Sequence, residues 1–245
     1  MLYRKKCTCE YNGSAYTGWQ WQANGISIQE KIEDALKELH GEEITIMGSG
    51  RTDSGVHAIE QVFHYSTTMH RDNRSILHAL NSKLPRDIAI LSVEDAPEGF
   101  HAQRSAVSKT YKYVILNRGT RAALEDGRVW CRRDYIDVER LAAILAPLEG
   151  RHDFLSFCSK KSIKPNTVRT INSITVERDG DYIVTRLNAN GFLHNMIRII
   201  IGTAVGLVYE NASPERMVEI LEAKDRLKAG VTASPSGLYL ERVYY

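Results

Sequence analysis

Gly48-Ser-Gly-Arg-Thr-Asp-Ser-Gly-Val-His-Ala58 places three glycines, one arginine and one aspartate between two apolar, strand-like runs. Glycine permits positive φ and close backbone approach. Three of them within eight positions specify a particular loop shape rather than a linker. Arg51 and Asp53 stand two residues apart, so an extended segment points both to one side. A carboxylate beside a guanidinium stays ionised and aimed, as a nucleophile requires. Spacing alone favours a plainer reading, a glycine-rich hairpin carrying a solvated ion pair.

Upstream of this loop, Leu2 to Tyr11 reads as a strand ending at the turn signal Asn12-Gly13. Gly18-Trp-Gln-Trp-Gln22 follows in a polar loop. Ser27-Ile-Gln-Glu30 is a capping box, and Ile28, Ile32, Ala35, Leu36 and Leu39 repeat at helical spacing to about His40. Ile44 to Met47 predicts a strand before the loop, and a second strand runs through Val62 and Tyr65 after it. Asp72 caps a helix stopped by Pro85, and Ile88 to Val93 is another strand. The second half repeats this order. A strand from Ser105 to Leu116 precedes a poorly patterned stretch, Asn117 to Asp134. A helix follows Asp137. Ile171–Glu177 and Tyr182–Ala189 flank the hairpin signal Asp179-Gly180. A helix is expected from Phe192 to Tyr209, another from Ser213-Pro-Glu215, and a last strand near Leu238 to Tyr244. Mixed elements with hairpins predict an α+β fold with a largely antiparallel sheet, in two subdomains, 1–105 and 106–245. Two such units pairing edge to edge would make one sheet with a cleft across it.

The 245 residues allow such a core, and 43% apolar with 25% charged is ordinary for a soluble protein. The formal net charge of +2 does not announce a nucleic-acid binder. Local clusters are more suggestive: Arg4, Lys5 and Lys6; Arg128, Arg132 and Arg133 around Trp130; and the basic loop from Lys160 through Lys161 and Lys164 to Arg169. Each reads equally as a phosphate surface or as solvated surface. Four cysteines without a C-x-x-C pair give a zinc site little support. A bridge between Cys7 and Cys9, two apart on a strand, would be strained. The N-terminus lacks an apolar signal core, and Ile199 to Val208 is about half a membrane span. A reduced, cytoplasmic protein without a membrane segment is expected.

Asp53 has no second acid in its local stretch, which suits neither a two-metal hydrolase nor a glycosidase. A single nucleophilic or basic aspartate fits better. His57 reads first as a hydrogen-bonded structural histidine. Tyr111 and Tyr113 face one side of a strand beside lysines, as base stacking needs; a half-buried sheet face is the plainer reading. Arg198 sits in a helix that is apolar nearly all round, where an unpaired guanidinium is costly. It either snorkels to the surface or meets Asp53 at the cleft. Gly202 and Gly206 thin one helix face. Leu238 lines a pocket or simply opens the last strand.

Together these segments closely resemble the tRNA pseudouridine synthase A family. The resemblance is carried by Tyr11-Asn-Gly-Ser-Ala-Tyr-Thr-Gly-Trp-Gln20, Gly50-Arg-Thr-Asp-Ser-Gly-Val-His-Ala58, Gln61-Val-Phe-His64, Phe100-His-Ala102, Lys109-Thr-Tyr-Lys-Tyr113, Gly191-Phe-Leu-His-Asn-Met-Ile-Arg198 and Gly237-Leu-Tyr239. Their order covers almost the whole chain, and the second is the specific one. Ser54, Asn195 and Ile197 are mild departures, and the chain reads as short for the family, with a trimmed loop. The resemblance implies the pseudouridine synthase fold, with two α+β halves sharing a mixed sheet around a catalytic cleft. It implies an isomerase that needs neither cofactor nor metal and acts on uridines 38, 39 and 40 in the anticodon stem-loop of tRNA. It also implies a homodimer. By the same resemblance Asp53 is catalytic, and Arg51, Tyr111, Arg198 and Leu238 bind substrate. Two other readings remain at this stage. One is an inactive RNA-binding protein of the same fold; the other is a metal-dependent phosphohydrolase using Asp53 and His57.

Overall fold

The computed structural model describes residues 2–159 and 166–245 and divides into two units, Met1–Val107 with Tyr239–Tyr245, and Ser108–Leu238. In chain order the elements up to residue 107 are β1 (Tyr3–Tyr11), α1 (Ile28–His40), β2 (Met47–Gly48), β3 (His57–Thr67), α2 (Asn73–Lys83) and β4 (Ile88–Asp95). Beyond it come β5 (Ser108–Asn117), β6 (Trp130–Arg132), α3 (Val138–Leu145), β7 (Gly150–Asp153), β8 (Val168–Asp179), β9 (Tyr182–Ala189), α4 (Met196–Tyr209), α5 (Glu215–Glu222) and β10 (Leu238–Tyr244). The chain is α+β with mostly antiparallel strand pairing, as the sequence predicts. Among the described residues no helix is long and apolar enough to cross a membrane.

In the first unit the strands lie in the order β4-β1-β3-β10, with β2 paired to β3. Among the described residues of this unit only the β3–β10 pairing is parallel, Tyr239 opposite His57 and Leu240 opposite Ala58. Helix α1 starts at the expected capping box. Ser27 Oγ accepts from the Glu30 N–H, and Glu30 reaches back to the Ser27 N–H. Ile28, Ile32, Ala35 and Leu36 are buried along one face. The strand expected over Ile44 to Met47 shrinks to β2. Ile46 donates its N–H to Glu33 Oε1 on α1 at 2.9 Å instead of to a neighbouring strand. Cys7 and Cys9 are fully buried free thiols, and burial pushes both up. The first basic cluster is spent inside this unit. Buried Lys5 donates to Asp95 at 2.7 Å, to Asn73 at 2.7 Å and to the Arg71 carbonyl at 3.3 Å. Lys6 pairs with Glu94, and Arg4 donates to the Phe100 carbonyl.

His64, on β3, makes the first unit pH-sensitive. Its ring is 6% exposed, and Nδ1 accepts the Ala102 N–H at 3.2 Å. Burial first, then the charges of His101 and Arg4, push the imidazole down to about 4. A folded value below the ordinary 6.5 means that folding excludes the proton. The stability is therefore full above pH 6.5 and is lost as pH falls through 4. Protonating Nδ1 would also break the bond to Ala102. The thermal midpoint is expected to drop between pH 6.5 and 4, with a shallower slope in His64→Gln; equal slopes in the two proteins would remove His64 as the cause.

In the second unit the order is β5-β9-β8-β7, with β6 parallel to β5. The hairpin at Asp179-Gly180 forms as predicted, with Gly180 at φ +54°. Asp137 caps α3 through the Arg140 N–H. Two strands, β6 and β7, lie outside the predicted elements; β7 is Gly-Arg-His-Asp, with no apolar residue to mark it. Helix α4 begins at Met196, four residues later than its apolar run suggests. Asn195 takes a left-handed φ of +61°, which ends the preceding turn before the helix can extend backwards. Of the two glycines on α4, only Gly202 serves a close approach. A Cβ there would stand 2.0 Å from the Val231 carbonyl oxygen, whereas one at Gly206 meets open space. Within the basic loop of the sequence, Lys160, Lys161 and Lys164 lie outside the described residues. Arg169 is described, and its guanidinium donates to the Asn166 and Val168 carbonyls.

Candidate active site

The glycine-rich loop runs between β2 and β3 and is held from several sides by the first unit. Ser49 donates its N–H to the Val62 carbonyl at 2.7 Å and its hydroxyl to Gln61 at 2.6 Å. Gln61 in turn donates to the Gly50 carbonyl at 2.9 Å. Thr52 is buried, its hydroxyl 2.8 Å from that of Tyr11 and its carbonyl accepting the Trp19 N–H. On either side of it Arg51 is exposed and Asp53 is half-buried, the alternation expected of a short extended segment. The Asp53 carbonyl accepts the Val56 N–H at 3.1 Å and closes a turn. Ser54 and Gly55 both donate to the Tyr16 carbonyl. Gly18 makes this approach possible. Its φ is +107°, and a Cβ on it would stand 2.5 Å from the Thr52 oxygen and 3.1 Å from the Asp53 carbonyl carbon. The loop is thus a braced turn that presents one carboxylate and one guanidinium, not a solvated hairpin.

His57 belongs to the brace. It is 1% exposed, its Nδ1 accepts the Gly13 N–H at 3.1 Å, and its ring stacks on Tyr239 at 4.6 Å. With its ring buried and Nδ1 held by a backbone amide, His57 is the hydrogen-bonded structural histidine of the first reading. Among the described residues no group of three or more His, Cys, Asp or Glu side chains is placed to hold a metal ion.

The second unit holds the other residues singled out in the sequence. Tyr111 and Tyr113 lie on β5, both buried, with Ile115 buried on the same side. The Tyr111 ring meets Phe192 edge-on at 5.1 Å. Tyr113 is fully enclosed and donates its hydroxyl to the Ser234 carbonyl at 2.7 Å; burial pushes its phenol up. The two tyrosines therefore differ: Tyr113 is a core residue, while Tyr111 retains slight exposure at 7%. Arg198, on the first turn of α4, is neither wholly buried nor snorkelling. Its Nε donates to the Ala233 carbonyl at 2.8 Å and its Nη1 to Asn195 Oδ1 at 2.7 Å. The Ala233 N–H returns a bond to the Arg198 carbonyl, so the 233 segment and α4 hold the guanidinium from two sides. Leu238 is 6% exposed and opens β10 directly after a tight turn at Pro235–Gly237.

Sequence reasoning missed Asn195 as the brace of Arg198 and the Tyr11–Thr52 hydroxyl pair. The first had a signal: residues three apart face one another at a helix start. The second joins residues 41 apart and had none.

The sequence model of the tRNA pseudouridine synthase family matches residues 8–103 and 144–245. A protein of Thermoanaerobacter sp. (strain X514) named tRNA pseudouridine synthase A is 40% identical over 236 residues, covering 96% of this chain and 97% of its own. One of Clostridium perfringens (strain 13 / Type A), named tRNA pseudouridine synthase A 2, is 42% identical and covers 98% of both chains. One of Wolbachia pipientis wMel, named tRNA pseudouridine synthase A, is 42% identical over 244 residues, covering 99% of this chain and 100% of its own. These three relatives are matched along nearly their whole length.

Proposed function

We propose that this chain, which belongs to the tRNA pseudouridine synthase family, isomerises uridine to pseudouridine at positions 38, 39 and 40 in the anticodon stem-loop of tRNA. The observation that carries the site assignment is the braced loop: it fixes Asp53 half-exposed, beside an exposed Arg51. The reaction breaks the C1′–N1 bond, rotates the base and joins C5 to C1′. The C5 proton leaves and N1 gains one, so atoms and charge balance without oxidant, metal or cofactor.

A uridine in a stem must leave the stack to be reached. Arg51 guides the everted nucleotide or fills the space it vacates. Asp53 starts bond cleavage, by attack on C1′ or by removing a sugar proton. Tyr111 stacks on the uracil face and assists loss of the C5 proton, and Leu238 gives that ring an apolar neighbour. Arg198, fixed by Asn195 and Ala233, contributes the positive charge that orients the reacting carboxylate. The same reading takes the protein as a cytoplasmic homodimer that grips tRNA across both subunits.

The test is to incubate the protein with tRNA transcripts carrying uridines at different anticodon-arm positions and to map pseudouridine. Formation at 38 to 40 alone is expected. Formation elsewhere overturns the positional assignment, and tight tRNA binding without product would favour an RNA-binding protein that has lost the reaction.

A further inference from the structure

The sequence marks a basic stretch around Trp130 that the chemistry above leaves unused, and in the second unit it forms an ordered device. The Arg132 guanidinium lies 5.1 Å from the Trp130 ring and 5.2 Å from the Tyr209 ring. Its Nε contacts the Tyr209 hydroxyl at 3.4 Å, and that hydroxyl donates to the Asp134 carbonyl at 3.1 Å. Trp130 is itself seated edge-on against the enclosed Tyr113 ring at 6.0 Å. Aromatic contact engages the faces of a guanidinium and leaves its in-plane N–H groups pointing outward. Among the described residues neither terminal nitrogen of Arg132 donates to a protein group, and no carboxylate lies within 4.0 Å of it. The neighbouring Arg133 is exposed and also lacks a carboxylate partner among the described residues. An arginine packed only to cover a tryptophan has no need of a second ring to fix it. This one is pre-oriented, with its two terminal nitrogens left for an oxyanion.

We propose that Arg132 is a phosphate-binding residue for the tRNA substrate, gripping the backbone away from the reacting nucleotide. Strand β6 runs parallel to β5 with Arg132 opposite Asn117. Tyr111 is six residues earlier on β5, about 20 Å along a strand rising 3.3 Å per residue. Opposed residues of paired strands point to one face, so Arg132 and Tyr111 share a face of the sheet. That separation is too long for one nucleotide and suits the phosphates of the surrounding stem. Fixing the side chain in advance removes the ordering loss that a mobile surface arginine incurs on binding.

The inference rests on the tRNA reading, and the test separates the two. Pseudouridine formation by the wild-type protein tests that reading. Arg132 is tested by measuring tRNA affinity of wild type, Arg132→Gln and Arg132→Lys across a salt series. Arg132→Gln is expected to weaken binding about three- to tenfold near physiological salt. It should also lower the slope of log K against log salt by roughly 0.7–0.9, the loss of one phosphate contact. Arg132→Lys should keep the slope and lose part of the affinity. The single-turnover rate at saturating tRNA should stay within about twofold, because the reacting groups are untouched. Weaker binding with an unchanged slope would show a structural role and overturn the proposal. So would unchanged affinity, or a shift in oligomeric state in place of one in tRNA binding.

Discussion

Asp53→Asn is expected to abolish pseudouridine formation, lowering the single-turnover rate at least about a thousandfold. Thermal stability and tRNA affinity should change little. Several contacts that shape the loop use backbone and neighbouring groups: the Asp53 carbonyl bound by Val56, the Tyr16 carbonyl bound by Ser54 and Gly55, and the Thr52 hydroxyl against Tyr11. The amide has the shape of the carboxylate and keeps all of them. It loses the charge, and with it the capacity to attack C1′ or to take a sugar proton. Release of tritium from tRNA labelled at C5 of uridine is the direct readout, because the C5 proton must leave in any route to product. Release at the wild-type rate would remove Asp53 from the chemistry. Loss of release together with loss of tRNA binding would indicate a collapsed loop, and circular dichroism with a melting curve distinguishes that case.

The sequence made the elements legible where local chemistry decides them. The Ser27 capping box, the Asp72 and Asp137 caps and the Asp179-Gly180 hairpin all form where they read. It was less informative where tertiary partners override local preference. Ile44 and Ile46 have the composition of a strand, but Glu33 on α1 takes the Ile46 N–H. Phe192 and Leu193 prolong the apolar run of α4, yet Asn195 at positive φ stops the helix behind Met196. The parallel pairing of β10 with β3 joins residues some 180 positions apart, and nothing in either strand announces it. For the site, Arg51 and Asp53 were visible as a pair because a short glycine-rich loop confines them. The fixing of Arg198 was visible only as a problem, a guanidinium in an apolar helix. Its solution, a backbone carbonyl 35 residues away and an asparagine one turn back, required coordinates.

Gly18→Ala tests whether the loop's precision matters, since this substitution alters no reacting group. At φ +107° an alanine is strained on its own account, by about 1–3 kcal/mol. The new methyl would also stand 2.5 Å from the Thr52 oxygen, where ordinary contact begins at 3.4 Å. The neighbours it meets are main-chain atoms of Thr52, Asp53 and Ser54, so no flexible side chain can yield. The loop must move by close to 1 Å or Gly18 must withdraw, and withdrawal strains the Trp19 N–H bond to Thr52. Together these effects should destabilise the first unit by about 2–4 kcal/mol, a fall in melting temperature of roughly 5–12 °C. Displacing a reacting group by 1 Å lowers a rate by up to about a hundredfold, so the variant should turn over ten- to a hundredfold more slowly even well below its melting temperature. Gly41→Ala is the matched control. Its φ of +71° carries the same kind of strain, but a Cβ there meets nothing within 4 Å, and it ends α1 away from the loop. It should lose stability and keep its rate. If Gly18→Ala also kept its rate, the position of Asp53 would tolerate a displaced backbone, and the braced loop would be a requirement of folding rather than of catalysis.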